Sequence, residues 1–250
     1  MKFIKELADG ISKAIEKLDC IEAKKVISRS KYDVTRVIDE AAEKAALRIL
    51  ETQHDFNLLT EETGYHEFDG NKTILLDPID GSFNAVAGIP FYAVSIAIGS
   101  RKLSDLEYGF VRNLATRDEF EAGYLKGAYF NNRRITTKKF DAKNVALSVY
   151  LGKWSTANSY KFAKNAKRLR FLGCASLDMC FVAAGIFDAY HQDGYPLRIT
   201  DIAAGTLILR EARGEVYDID NIKVLEMNFN LSERRNVLAV GDKKVLNLID

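Results

Sequence analysis

Along the first eighteen residues, apolar side chains at Phe3, Ile4, Leu7, Ala8, Ile11, Ala14, Ile15 and Leu18 recur at the spacing of an α-helix with one buried face. A second stripe, Val34, Val37, Ile38, Ala41, Ala42, Ala45, Ala46 and Ile49, follows Asp33, whose short acceptor side chain predicts the helix N-cap. Asp39 lies at the edge of that stripe. The period then changes: FNLL, TILL, YAVSIAI, LEYGFV and EFEAGYL are short apolar runs bounded by Gly, Asn and Asp, the pattern of sheet strands. Further on, the NNRR segment predicts a hairpin turn, NVALSVY a strand, Ser155 to Lys164 a polar helix and RFLG another strand. SLDMCFVAAG then reads as a helix, FDAYHQ as a strand, DIAAGTLILREA as a helix ended by Gly214, and NVLAV as a late strand. This order predicts an α+β fold of layered helices and strands, divided near residue 140 into subdomains 1–140 and 141–250. No Ser/Gly-rich linker marks the division, so the halves are expected to pack as one unit.

Composition narrows the setting more than the chemistry. Apolar residues make up 47% of the 250, ample for a packed core, and 36 basic side chains almost cancel 35 acidic ones. A molecule this close to neutral has no net field to draw it onto nucleic acid or an acidic membrane. Cys20, Cys174 and Cys180 are odd in number and lack metal-ligand spacing, which suits the reduced thiols of a cytosolic protein. The charged start, MKFIKELADGISKAIEKL, has no continuous apolar core, and no later run is long enough to span a bilayer. A soluble cytoplasmic protein is expected. His54, His66 and His191 lack an H-E-x-x-H spacing and are assigned to packing or surface.

The strongest chemical signal is DPIDGS, Asp77 to Ser82, directly after the apolar run Thr73 to Leu76. Pro78 cannot donate a ladder hydrogen bond and Gly81 permits a sharp path, so the chain turns between the two aspartates. Both carboxylates can then face one point, where their repulsion is relieved by a hard divalent cation. Acid also follows a strand in TEETG, with Glu61 and Glu62, and opens a helix in ITDIAAG, at Asp201. Taken singly, each has a plainer reading: Asp77 and Asp80 as a turn cap, Glu61 and Glu62 as a solvated loop, Asp201 as a helix cap.

Taken together, the order of TEETG, DPIDGS and DIAAG resembles the inositol monophosphatase superfamily. DVTRVID, GIPFYAVSIAI, GCASLDMC and FDAY extend the likeness over nearly the whole chain, with most resemblance to archaeal-type dual inositol monophosphatase/fructose-1,6-bisphosphatases. The resemblance implies a layered αβαβα sandwich and a magnesium-dependent phosphatase for small monoesters such as inositol 1-phosphate and fructose 1,6-bisphosphate. It also implies a homodimer and sensitivity to lithium. By the same likeness, Glu61, Asp77 and the Ile79 carbonyl hold one Mg2+, and Asp77, Asp80 and Asp201 a second, with a third leaning on Glu61. Asp39, Glu61 and Ser82 are the catalytic set, acting on a metal-activated water placed for in-line attack. The N–H groups of Gly81 and Ser82 bind phosphate oxygens, and Asp80 and Asp201 reach substrate hydroxyls.

Two features fit less tightly. The family often has a Lys shortly before the Asp33 segment, where Ser28 stands here, which leaves two readings: Lys31 as the substitute, or no such contact. The basic run Lys161, Lys164, Lys167, Arg168 and Arg170 reads first as a solvated surface. Its sharper reading is recognition of a second phosphate, with Tyr150 and Arg198 as further candidates. Two alternatives stand beside the leading one: a nucleotidase for 3′-phosphoadenosine phosphates, and a regulatory or scaffold homologue, which would be marked by loss of the carboxylates.

Overall fold

The computed structural model describes residues 2–31, 33–52 and 55–249; His54 lies outside them. The first apolar stripe forms helix α1 (Lys2–Glu16), burying Ile4, Leu7, Ala8 and Ile11. A one-turn helix α2 (Cys20–Ala23), capped by Asp19, leads into a hairpin of β1 (Val26–Arg29) and β2 (Val34–Arg36). Helix α3 (Val37–Leu50) therefore begins later than an Asp33 cap would have it. Val34 to Arg36 pair with β1, so their backbone is extended and Arg36 takes the N-cap position. Asp39, the third helical residue, accepts a hydrogen bond from the Arg36 backbone N–H at 2.7 Å.

The apolar runs that follow build an eight-stranded sheet: β3 (Phe56–Thr60), β4 (Gly64–His66), β5 (Lys72–Asp80), β6 (Ala93–Gly99), β7 (Tyr108–Asn113), β8 (Glu119–Gly123), β9 (Gly127–Phe130) and β10 (Arg133–Ile135). Helix α4 (Ser82–Ala87) interrupts between β5 and β6. The strand order is β10-β9-β8-β7-β6-β5-β3-β4, and only the β3/β5 pair is parallel. Asn131 and Asn132 turn the last hairpin with positive φ, as NNRR predicts.

A second sheet of six strands comprises β11 (Ala146–Val149), β12 (Arg168–Arg170), β13 (Ala189–Leu197), β14 (Glu215–Asp218), β15 (Lys223–Val224) and β16 (Arg235–Val240). Among them run helices α5 (Ala157–Ala163), α6 (Ala175–Ala183) and α7 (Ile199–Glu211). β12 ends before Phe171, one residue into the RFLG segment.

Alternation along the strands sorts the core into layers. Ile74, Leu76, Ile96 and Phe110 pack with Ile4, Leu7, Ala42 and Ala46 of α1 and α3. Leu75, Ala97 and Val111 face the other way, onto Leu177, Ile202 and Ala203 of α6 and α7. These two helices are apolar on every side because the second sheet covers them with Tyr190, Val216, Val237 and Ala239. Leu147, Val149, Leu238 and Val240 then meet Phe162 of α5 on the outside. The result is the layered αβαβα sandwich. Gly109 of β7 permits the close approach of α7: a Cβ there would lie 2.9 Å from the Ala204 carbonyl oxygen. Among the described residues, no helix is long and apolar enough to cross a membrane.

Candidate active site

Three elements deliver acid to one place. Strand β3 runs parallel to β5, with Thr60 opposite Leu76, so Glu61 emerges beside Asp77. The β5/β6 register shifts between Asp77 and Asp80, where Pro78 has no N–H to keep the ladder. Both aspartates line one cavity of about 700 Å3 as a result. The Ile79 N–H, between them, donates to Asp77 Oδ1 at 3.0 Å. Asp201 arrives on α7 as its third residue, where its Oδ2 accepts the Arg198 backbone N–H at 2.7 Å. Asp39 stands in the same position of α3, so two helix starts aim a carboxylate in the same way.

Carboxylate oxygens of Glu61, Asp77 and Asp201 all lie within 4.8 Å of one another. Burial pushes the Asp77 carboxyl well above its ordinary range, and the charges of Glu61, Asp80 and Asp201 push it further. Burial and Glu61 likewise raise Asp201 to about 7. Glu61 is also raised by burial, against the opposing pull of Arg198. These are anions held where protons are favoured over charge, which is costly unless a cation sits among them. An all-oxygen donor set of this kind fits a hard divalent ion.

Asp80 is raised by burial too, but it has donors: Ser176 N–H at 2.6 Å and the Cys174 thiol at 3.2 Å, both at the start of α6. Gly81 caps α4 with φ +85°, and a Cβ there would meet the Gly173 carbonyl oxygen at 3.0 Å. Ser82 opens that helix, its Oγ 3.5 Å from Arg36 Nη1. Burial pushes Asp39 up to about 6, against the Arg36 backbone N–H and the Ser82 hydroxyl, which lower it. Glu62 rises to about 7 for the same first reason, while Thr35 donates to it at 3.0 Å.

The residues considered for substrate recognition divide. Tyr150 lines the cavity, stacked on Tyr195 at 5.6 Å and edge-on to Phe171 at 5.1 Å. Arg198 also lines it, but its guanidinium is paired with Glu61 and with Asp33. Arg168 and Arg170 stand on the exposed edge strand β12 and are not among the lining residues; Phe171 and Leu172, just beyond, are. Ser28 is exposed on β1, and neither it nor Lys31 lines the cavity. Arg36 does, a residue that the sequence, where it is one charge beside an apolar stripe, does not single out. Glu43 was missed too: buried on α3, it accepts from Thr60 and Thr63 hydroxyls, each at 2.6 Å, and so fixes the loop carrying Glu61 and Glu62. A heavier charge count in the DVTRVID and EAAEKAA segments was the one available signal.

Five layers with a carboxylate cluster gathered where two parallel strands and a buried helix end define a class, the layered α+β phosphatases that work with a metal. The chain belongs to the inositol monophosphatase family, whose model matches residues 2–246. It is 36% identical to the fructose-1,6-bisphosphatase/inositol-1-monophosphatase of Archaeoglobus fulgidus, over 100% of this chain and 97% of that one. Against the protein of the same description from Methanocaldococcus jannaschii it is 34% identical, over 87% and 84%. Among solved structures, a Pyrococcus horikoshii protein described as having similarities to inositol-1 monophosphatase superposes with a TM-score of 0.83 at 31% identity, covering 99% of this chain and 94% of that one.

Proposed function

We propose that the protein is a magnesium-dependent phosphoric monoester hydrolase whose substrates include inositol 1-phosphate and fructose 1,6-bisphosphate. The observation that carries this reading is the convergence of Glu61, Asp77 and Asp201 within 4.8 Å, in a cavity that Asp39, Asp80 and Ser82 also line. The names of the two archaeal relatives support the choice of substrates. Glu61, Asp77, Asp80 and Asp201, with the Ile79 carbonyl, are the groups to hold two or three Mg2+ ions. Bound there, the metal supplies neutralising charge for the phosphoryl group and acidifies water.

The chain's own groups do the rest. Gly81 and Ser82 present backbone N–H groups at a helix start, where donors lack intrahelical partners and suit phosphate oxygens. Asp39 and the Ser82 hydroxyl orient the attacking water opposite the leaving oxygen, and Asp39 receives its proton. Asp80, fixed by Ser176 and Cys174, and Asp201 face the substrate hydroxyls. A cytoplasmic homodimer belongs to the same reading, supported by the family likeness and three free cysteines; light scattering at twice the chain mass is the expected result.

The aromatic wall of Tyr150, Phe171 and Tyr195 favours a second reading, a nucleotidase for 3′-phosphoadenosine phosphates, since a purine stacks on such faces. One panel separates the two. Phosphate release from inositol 1-phosphate, fructose 1,6-bisphosphate and 3′-phosphoadenosine 5′-phosphate is measured with and without magnesium. The first two should turn over faster than the third, and only with the metal. Preference for the nucleotide would overturn the substrate assignment, and turnover indifferent to magnesium would overturn the site.

A further inference from the structure

One of the three converging carboxylates already has a cation on it. Arg198 Nη1 pairs with Glu61 Oε1, while its Nη2 lies 2.6 Å from Asp33 Oδ2. Arg234 Nη2 holds the same Asp33 oxygen at 2.8 Å. With its side chain only 10% exposed, Arg198 makes these contacts largely out of water, where ion pairs are least screened. Asp77 and Asp201 differ: among the described residues, no ion pair joins either of them.

We propose that Arg198 is the internal counter-cation of Glu61 and competes with the divalent ion for that carboxylate, a positioning residue that sets cation affinity. The inference rests on Glu61 being a metal ligand, as proposed above. A guanidinium does not lose its proton in a protein, so it cannot yield to a metal by being neutralised; it has to move off the oxygen. Asp33 gives it somewhere to stay. With Glu61 taken by a metal, the Arg198 fork keeps its second contact, and Arg234 holds Asp33 in place to receive it. Without metal, the same fork keeps Glu61 from standing as an uncompensated buried charge.

Two charge-matched variants test this by calorimetric titration with Mg2+. Arg198→Gln and Arg234→Gln each remove one positive charge near the site, but only Arg198 touches Glu61. Arg198→Gln should tighten Mg2+ binding about tenfold, the size of one charge-assisted hydrogen bond, and Arg234→Gln by less than about threefold. Equal shifts in the two variants, or none in Arg198→Gln, would overturn the competition. Absence of Mg2+ binding by the wild type would overturn the ligand role of Glu61 itself, a separate failure. Should Arg198→Gln not fold, a crystal structure of the wild type with Mg2+ decides: Arg198 turned off Glu61 supports the proposal, and an intact pair on a metal-bound Glu61 sinks it.

Discussion

Asp77 is only 2% exposed, and three carboxylates press on it, so its charge is the hardest in the site to bear without a cation. Asp77→Asn keeps the shape and removes that charge. Mg2+ affinity by calorimetry should fall at least tenfold and turnover should vanish; affinity equal to wild type would contradict its role as a bridge. Ser82→Ala should do the reverse, lowering kcat about a hundredfold with cation affinity little changed. Gly81→Ala strains a backbone at φ +85° and crowds the Gly173 carbonyl, at a cost of about 1–2 kcal/mol read as a lower urea midpoint. The four carboxylates were legible in the sequence because each is punctuated: Pro78 and Gly81 around one pair, a strand end before Glu61, a helix start at Asp201. Arg36, Glu43 and the Arg198–Glu61 pair were not. A charge on an amphipathic helix looks the same in sequence whether it faces water or a neighbouring loop, and an ion pair spanning 137 positions leaves no local trace.

Between elements, two contacts have measurable consequences. Glu43 ties α3 to the loop after β3, and Glu43→Ala strands two threonine hydroxyls while loosening the loop that aims Glu61. A stability loss of about 1–3 kcal/mol is expected, accompanied by weaker Mg2+ binding; loss of stability alone would show that the loop holds its place without this anchor. His191 of β13 stacks on Phe162 of α5 at 4.9 Å, and burial pushes its pKa down to about 4. The folded state thus favours the neutral ring. Its contribution is full above the unfolded value near 6.5 and is lost as pH falls toward 4, by up to roughly 3 kcal/mol. Urea midpoints at pH 7 and pH 5 should therefore separate more for wild type than for His191→Phe. Equal separations would locate the acid sensitivity elsewhere. At this scale the long apolar elements were readable from their period, whereas β1, β2, β4 and β15, at two to four residues, are too short for any period to emerge.

Across the whole molecule, α6 and α7 are shared property: they belong to the chain after residue 140, yet Leu177, Ile202 and Ala203 share one core with residues of both sheets. The helix pair also brings Asp201 and the Asp80 donors to a site whose carboxylates Asp39, Glu61, Asp77 and Asp80 come from the first half. Halves joined in this way should unfold together. Urea curves followed by Trp154 fluorescence, a probe confined to the second half, and by far-ultraviolet circular dichroism should coincide; a separate tryptophan transition would show independent units. The layered order was legible because helix and strand alternate with clear periods. Which faces meet was not, since α7 is apolar on every side and its pattern points nowhere. The most direct test of the account as a whole is phosphate release from inositol 1-phosphate as a function of Mg2+ concentration, for wild type beside Asp77→Asn. Saturable, metal-dependent release by the wild type and none by the variant is the predicted result; equal release by both would mean that the buried carboxylates gather for some other purpose.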